Sequence, residues 1–109
     1  MNPAGAAAER RVRRHYRLRG YQVLASNVRA GGNELDVVVR RGRRLVFCEV
    51  KMRRGTGFGD PLEAIDGEKR RRVTRAAEGF LARHPELAGL DVSLEAVAVR
   101  GRHIARVPM

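Results

Sequence analysis

Two short β-like runs, Leu35 to Arg40 and Leu45 to Met52, flank the tetrapeptide Arg41-Gly42-Arg43-Arg44. They constrain the fold more than any other stretch. A two-residue loop at Gly42-Arg43 suits a tight hairpin, because glycine supplies the positive φ that such turns need. That loop fixes the register. Arg41 pairs with Arg44, Val38 with Phe47, and Asp36 with Glu49. Residues directly opposed on antiparallel strands share a face. Asp36, Glu49 and Lys51 therefore fall on one face, and Val37, Val39, Val46, Cys48 and Val50 on the other. The second face is wholly apolar and has to be covered.

The rest of the chain supplies the cover. Ala8, Val12 and Tyr16 recur at four-residue spacing, so Ala6 to Arg19 reads as a helix stopped at Gly20. Tyr21 to Ala25 reads as a short strand, and Asn27 to Asn33 as a basic loop. Arg53 to Gly59 is rich in glycine. Asp60-Pro61-Leu62-Glu63 carries the marks of a helix start, with a short helix to Ile65. Asp66 then caps a longer helix to about His84, stopped by Pro85, with Val73, Ala76, Ala77, Phe80 and Leu81 facing inward. Val92 to Val99 and Ile104 to Val107 are further strands. Helix, three strands, helix, then one or two strands predicts an α/β fold: one mixed sheet packed by helices, in a single domain over residues 1–109.

Charge narrows the partners. There are 23 Lys and Arg against 12 Asp and Glu, a net +11. A GC-rich genome swaps lysine for arginine, but that does not create so large a basic excess. Arginine grips phosphate bidentately, and basic surfaces bind polyanions by releasing counterions. Nucleic acid is the expected partner, and an anionic membrane surface the weaker competitor. No apolar run approaches the ~20 residues that span a bilayer, and the N-terminus lacks the apolar stretch of a secretory signal, so none is expected. The cytoplasm is the expected location. A single cysteine, Cys48, excludes an intrachain disulfide framework and a cysteine-based zinc cage, and reads as a small buried strand residue. His15, His84 and His103 share no spacing and read as structural or surface groups.

Asp36 and Glu49 carry the chemistry. Opposed carboxylates stand about 5 Å apart and repel by roughly 3 kcal/mol at an effective dielectric near 20. One can hold a proton, both can splay into water, or a divalent cation can sit between them. Oxygen donors suit Mg²⁺ or Mn²⁺ better than zinc. Lys51 can offset the charge, orient a phosphate or hold a water. The plain alternative is a solvated polar face closed by a Glu–Lys pair. Glu34 lines the same face at the strand mouth, as a supporting group or a solvated turn residue. Lys69 lies at the edge of the long helix's inward stripe and either snorkels to water or contacts phosphate. Arg53, Arg54, Lys69 and Arg70 are the candidate backbone contacts.

Gly32-Asn33-Glu34-Leu35-Asp36 followed by Leu45-Val46-Phe47-Cys48-Glu49-Val50-Lys51 resembles the PD-(D/E)XK nuclease signature. From about Gly5 to the last strand, the chain resembles the YraN-like family of small predicted endonucleases. Glu9, Gly20-Tyr21, Asn27, Phe58-Gly59 with Pro61, Glu63-Ala64-Ile65, Lys69, Ala76-Ala77 and Phe80-Leu81 extend the match. The resemblance implies a restriction-endonuclease-like fold related to the archaeal Holliday-junction resolvases. It implies Mg²⁺ or Mn²⁺ on Asp36 and Glu49, Lys51 serving the phosphate or the water, and Glu9 completing the site from the first helix. Asn33 stands where the family usually has glycine, and Met52 where it usually has threonine. The expected activity is hydrolysis of structured or branched DNA, with a homodimer plausible because two symmetric cuts need two sites. A non-catalytic nucleic-acid-binding protein and an RNA-associated accessory protein are the rival readings.

Overall fold

A computed structural model describes residues 3–52 and 67–109. Its elements are α1 (Pro3–Arg17), β1 (Gln22–Ala30), β2 (Asn33–Arg41), β3 (Arg44–Met52), α2 (Gly67–Arg83), a 3-10 turn (Pro85–Leu87), β4 (Asp91–Arg100) and β5 (His103–Pro108). The five strands form one sheet in the order β1-β2-β3-β4-β5. β3 and β4 are parallel, and the other neighbours antiparallel. A parallel pair needs a long crossover, and α2 lies in it. The α/β class and the mixed sheet are those expected.

The hairpin register is also as expected, running from Arg41↔Arg44 through Val38↔Phe47. Among its turn residues only Gly42 has positive φ, at 60°, as a type II′ turn requires. Each face of the sheet is covered by one helix. Ala8, Val12 and Tyr16 of α1 pack on Val37, Val39, Val46, Cys48, Val97 and Val99. Val73, Ala76, Ala77 and Phe80 of α2 pack on Leu35, Val38, Leu45 and Phe47.

Two expected boundaries move. The first helix spans Pro3–Arg17 rather than Ala6 to Arg19. The stretch read as a short strand and a basic loop is one nine-residue strand, β1. Its hairpin turn is Gly31-Gly32, between the paired Ala30 and Asn33. Both glycines have positive φ, 55° and 78°, which a type I′ turn demands at both central positions. The expected short helix from Asp60 to Ile65 and the Arg53–Gly59 loop lie outside the described residues.

One buried polar group crosses the α1 face. Glu95, on β4, accepts from the Tyr16 hydroxyl at 2.8 Å and from Arg106 Nη2 at 3.1 and 3.3 Å. The Arg106 guanidinium also lies over the Tyr16 ring, 4.6 Å from its centroid. Burial pushes the neighbouring Cys48 thiol up to about 12, so it stays protonated and inert.

Candidate functional site

Successive residues of a strand alternate faces, so Leu35 and Val37 should point the same way. They do not. Val37 packs under α1 and Leu35 under α2. The change of side falls at Asp36, and opposite it, between the pairs Ser26↔Val37 and Val28↔Leu35, stands Asn27. Asn27 has φ 51°, the only non-glycine among the described residues with positive φ. Asparagine tolerates that region better than most residues.

The ladder between β2 and β3 stops at the same place. Its last pair is Val37↔Cys48, one step short of Asp36 and Glu49. Beyond it β2 continues alongside β1 to Asn33, and β3 alongside β4 to Met52. The sheet therefore forks. Asp36 bridges the fork, its Oδ2 accepting from the Val50 N–H at 2.8 Å. A side chain thus satisfies a backbone donor that the ladder would otherwise have paired.

A hollow of about 170 Å³ opens on the α2 side of the fork, lined by Asn33, Glu34, Leu35, Asp36, Cys48, Glu49, Arg72 and Val73. Asp36 and Glu49 both line it, although the pair expected between them lies beyond the end of the ladder, and exposed Glu34 lines it too. Lys51 Nζ lies 2.8 Å from Glu49 Oε1, both side chains largely sheltered. A smaller hollow of about 120 Å³ lies on the α1 side, lined by Gly5, Ala8, Glu9, Asp36, Val50 and Met52. Among the described residues Asp36 alone lines both.

Glu9 approaches Asp36 from α1. It is buried, and its Oε1 has no hydrogen-bond partner among the described residues. Burial first, then the negative charges of Asp36 and Glu34, push its carboxyl up to about 7, against the pull of Arg13 and a hydrogen bond with Asn27. Burial likewise raises Asp36, opposed by the Val50 N–H and Lys51 and reinforced by Glu49 and Glu34. Glu9 and Asp36 are thus two neighbouring acids that burial and nearby carboxylates both make reluctant to ionise.

The remaining candidates are dispersed. Lys69 and Arg70 stand in the first turn of α2, and neither lines the two hollows described above. Arg72, which the sequence did not single out, lines the α2-side hollow with Asp36 and Glu49. It directly precedes the inward Val73, and that adjacency was its one signal. Arg53 and Arg54 lie outside the described residues. His15 is partly buried, and His84 stacks on Phe80 with ring centroids 4.2 Å apart. No helix among the described residues is long and apolar enough to cross a membrane.

Fold and cleft together define a small mixed-sheet α/β protein whose acids gather where two central strands part. The family follows from comparison with known proteins. The chain belongs to the uncharacterised protein family UPF0102, whose profile matches residues 8–100. It is 42% identical over 104 residues to a UPF0102 protein of Dinoroseobacter shibae, covering 95% of this chain and 76% of that one. It is 39% identical over 106 residues to one of Pseudomonas putida strain GB-1, covering 97% and 86%. A relative in Methylorubrum extorquens strain PA1 is 46% identical over 89 residues, covering 82% and 68%.

Proposed function

We propose that this chain is a metal-dependent nuclease that hydrolyses phosphodiester bonds in structured or branched DNA. The observation that carries the reading is the fork. It gives Asp36 and Glu49 one hollow, with Lys51 on Glu49, and brings the unpartnered oxygen of Glu9 up to Asp36 from the other side.

The donors are all carboxylate oxygens, which suit Mg²⁺ or Mn²⁺. Among the described residues no three acidic, histidine or cysteine side chains lie close enough to make a ready-made cage. Mg²⁺ does not need one, since one or two carboxylates commonly hold it while waters and substrate phosphates complete its shell. Glu9 Oε1, an acceptor with no protein partner, agrees with that chemistry. Asp36 and Glu49 would hold the ion, with Glu9 in support. Bound there, it would polarise the phosphate and acidify a water. Lys51 adds positive charge where a phosphate would build up negative charge.

The ion pair between Lys51 and Glu49 favours a second reading, a non-catalytic nucleic-acid-binding protein. There the lysine takes the place of the cation. Melting the protein in EDTA, Mg²⁺ and Mn²⁺, beside cleavage of labelled linear, flapped and four-way-junction DNA, separates the two. The nuclease gains about 2.7 kcal/mol at a hundredfold excess of metal over Kd. Glu49→Gln abolishes that gain and all cleavage while leaving DNA binding intact. Lys51→Ala keeps the metal effect and loses cleavage. If metal changes neither melting nor activity and Glu49→Gln is simply more stable, the binder is the correct reading.

A further inference from the structure

A third cavity, of about 500 Å³, lies away from the acids, between the C-terminal half of α1 and the β4–β5 turn. Arg11, Arg14, Arg19 and Arg102 stand around it, and Leu18 and Ile104 give it an apolar patch. Positions 11, 14 and 15 share one side of α1, and Leu18 and Arg19, in the turn that follows it, continue that side toward the groove. That side is distinct from the inward one of Ala8, Val12 and Tyr16.

The groove is built. Arg11 Nη1 donates to the Gly101 carbonyl at 3.0 Å, fastening the turn that carries Arg102 against the helix. Arg19 Nη1 donates to the His15 carbonyl at 3.0 Å. His15 also lines the groove, with a buried Nε2 that has no hydrogen-bond partner. Among the described residues no carboxylate lines it, and Arg14 and Arg102 form no ion pair.

Uncompensated guanidinium groups around one concavity repel one another, and a polyanion relieves that repulsion. Phosphate alone does not account for the apolar patch. Leu18 is 73% exposed, the most exposed of the large hydrophobic residues. A duplex offers phosphates outward and keeps its bases stacked, whereas an unpaired strand can lay a base face on an apolar surface. The placement suits a path to the acids. Met52 pairs with Val99, so the turn carrying Arg102 leaves the sheet at the end where Lys51 and Met52 lie.

We propose that this groove binds an unpaired stretch of nucleic acid, its phosphates on Arg14 and Arg102 and a base over Leu18 and Ile104. The inference deepens the nuclease reading and rests on it for what happens to the bound strand; the binding itself needs no metal.

Fluorescence anisotropy in EDTA tests it, using a single-stranded DNA of about 12 nucleotides, the same sequence as RNA, and the matching duplex. The Arg14→Ala/Arg102→Ala double variant should bind the single strands at least ~10-fold more weakly. Its salt slope should be shallower by about 1.4, two phosphate contacts at ~0.7 each. Leu18→Ser should weaken single-strand binding several-fold and leave duplex binding unchanged. The DNA and RNA arms show which sugar the groove prefers. Parent-like binding by the double variant overturns the proposal, as does a parent that binds duplex more tightly. So does a double variant that loses only its affinity for phosphatidylserine vesicles. A parent that binds no nucleic acid at all removes the nuclease reading as well. A parent that binds through the groove but cuts nothing with Mg²⁺ removes the nuclease reading alone.

Discussion

A carboxyl group buried with one oxygen unpartnered gains by keeping its proton, and Glu9 is in that position. Its pKa rises from 4.5 to about 7 on folding. The folded state therefore holds the proton more tightly. The associated stability is fully present below pH 4.5 and is lost as pH rises through 7. The loss is roughly 3 kcal/mol. Glu9→Gln has no such proton to lose. In urea titrations with EDTA, the variant should gain on the parent between pH 5 and pH 8 and be the more stable at pH 8. A constant difference across that range would show Glu9 to be unperturbed. The place of Glu9 in the site came from the family resemblance, and its position directly after Ala8 and three residues before Val12 agrees with an inward reach. The Glu95–Tyr16–Arg106 group was not legible. A lone acid in the apolar run Leu94 to Val99 was a visible signal, but its partners come from α1 and β5, which no local pattern connects.

At the scale of elements, α2 is seated by two glycines. A Cβ on Gly79 would come within 2.4 Å of the Gly31 nitrogen, and one on Gly31 within 2.2 Å of the Arg75 carbonyl oxygen. Alanine normally gains about 1 kcal/mol over glycine inside a helix. Here it would lever α2 off the β1–β2 turn, and overpacking of this kind costs about 1–3 kcal/mol. Gly79→Ala should therefore lower the melting temperature by several degrees, while Glu78→Ala, at an exposed position, leaves it nearly unchanged. An equal or higher melting temperature for Gly79→Ala would mean that the contact is slack. The inward stripe of α2 was readable because its period is unbroken. β1 was not, because a register shift between Val23 and Ala25 and the left-handed Asn27 interrupt its alternation twice. Gly31-Gly32 was the remaining sign of a hairpin there.

Across the whole molecule the dominant quantity is the net charge of +11. Self-repulsion opposes compaction, and salt screens it over about 10 Å at 0.1 M. Raising NaCl from ~20 to ~300 mM should raise the melting temperature by a few degrees and, over the same range, weaken nucleic-acid binding steeply. Binding indifferent to salt would remove the polyanion argument. The order of elements and the mixed sheet were legible, since hydrophobic periodicity and two-residue turns are local signals. The fork was not. The hairpin register alone carries pairing on to Asp36 and Glu49, and the ladder stops where Asn27, on a third strand, takes its left-handed turn.

The Gly42–Arg43 turn lies at the far end of β2 and β3 from the acids, yet it sets their alignment like the zero of a vernier. Side chains alternate every residue, so one amino acid inserted there would displace the two scales by a single graduation. Val50 would then move toward the mark that Glu49 holds, and Lys51 would swing under α1. The cleft would lose its chemistry with every one of its own residues intact. Length at that remote corner is thus as much a part of the site as any carboxylate in it.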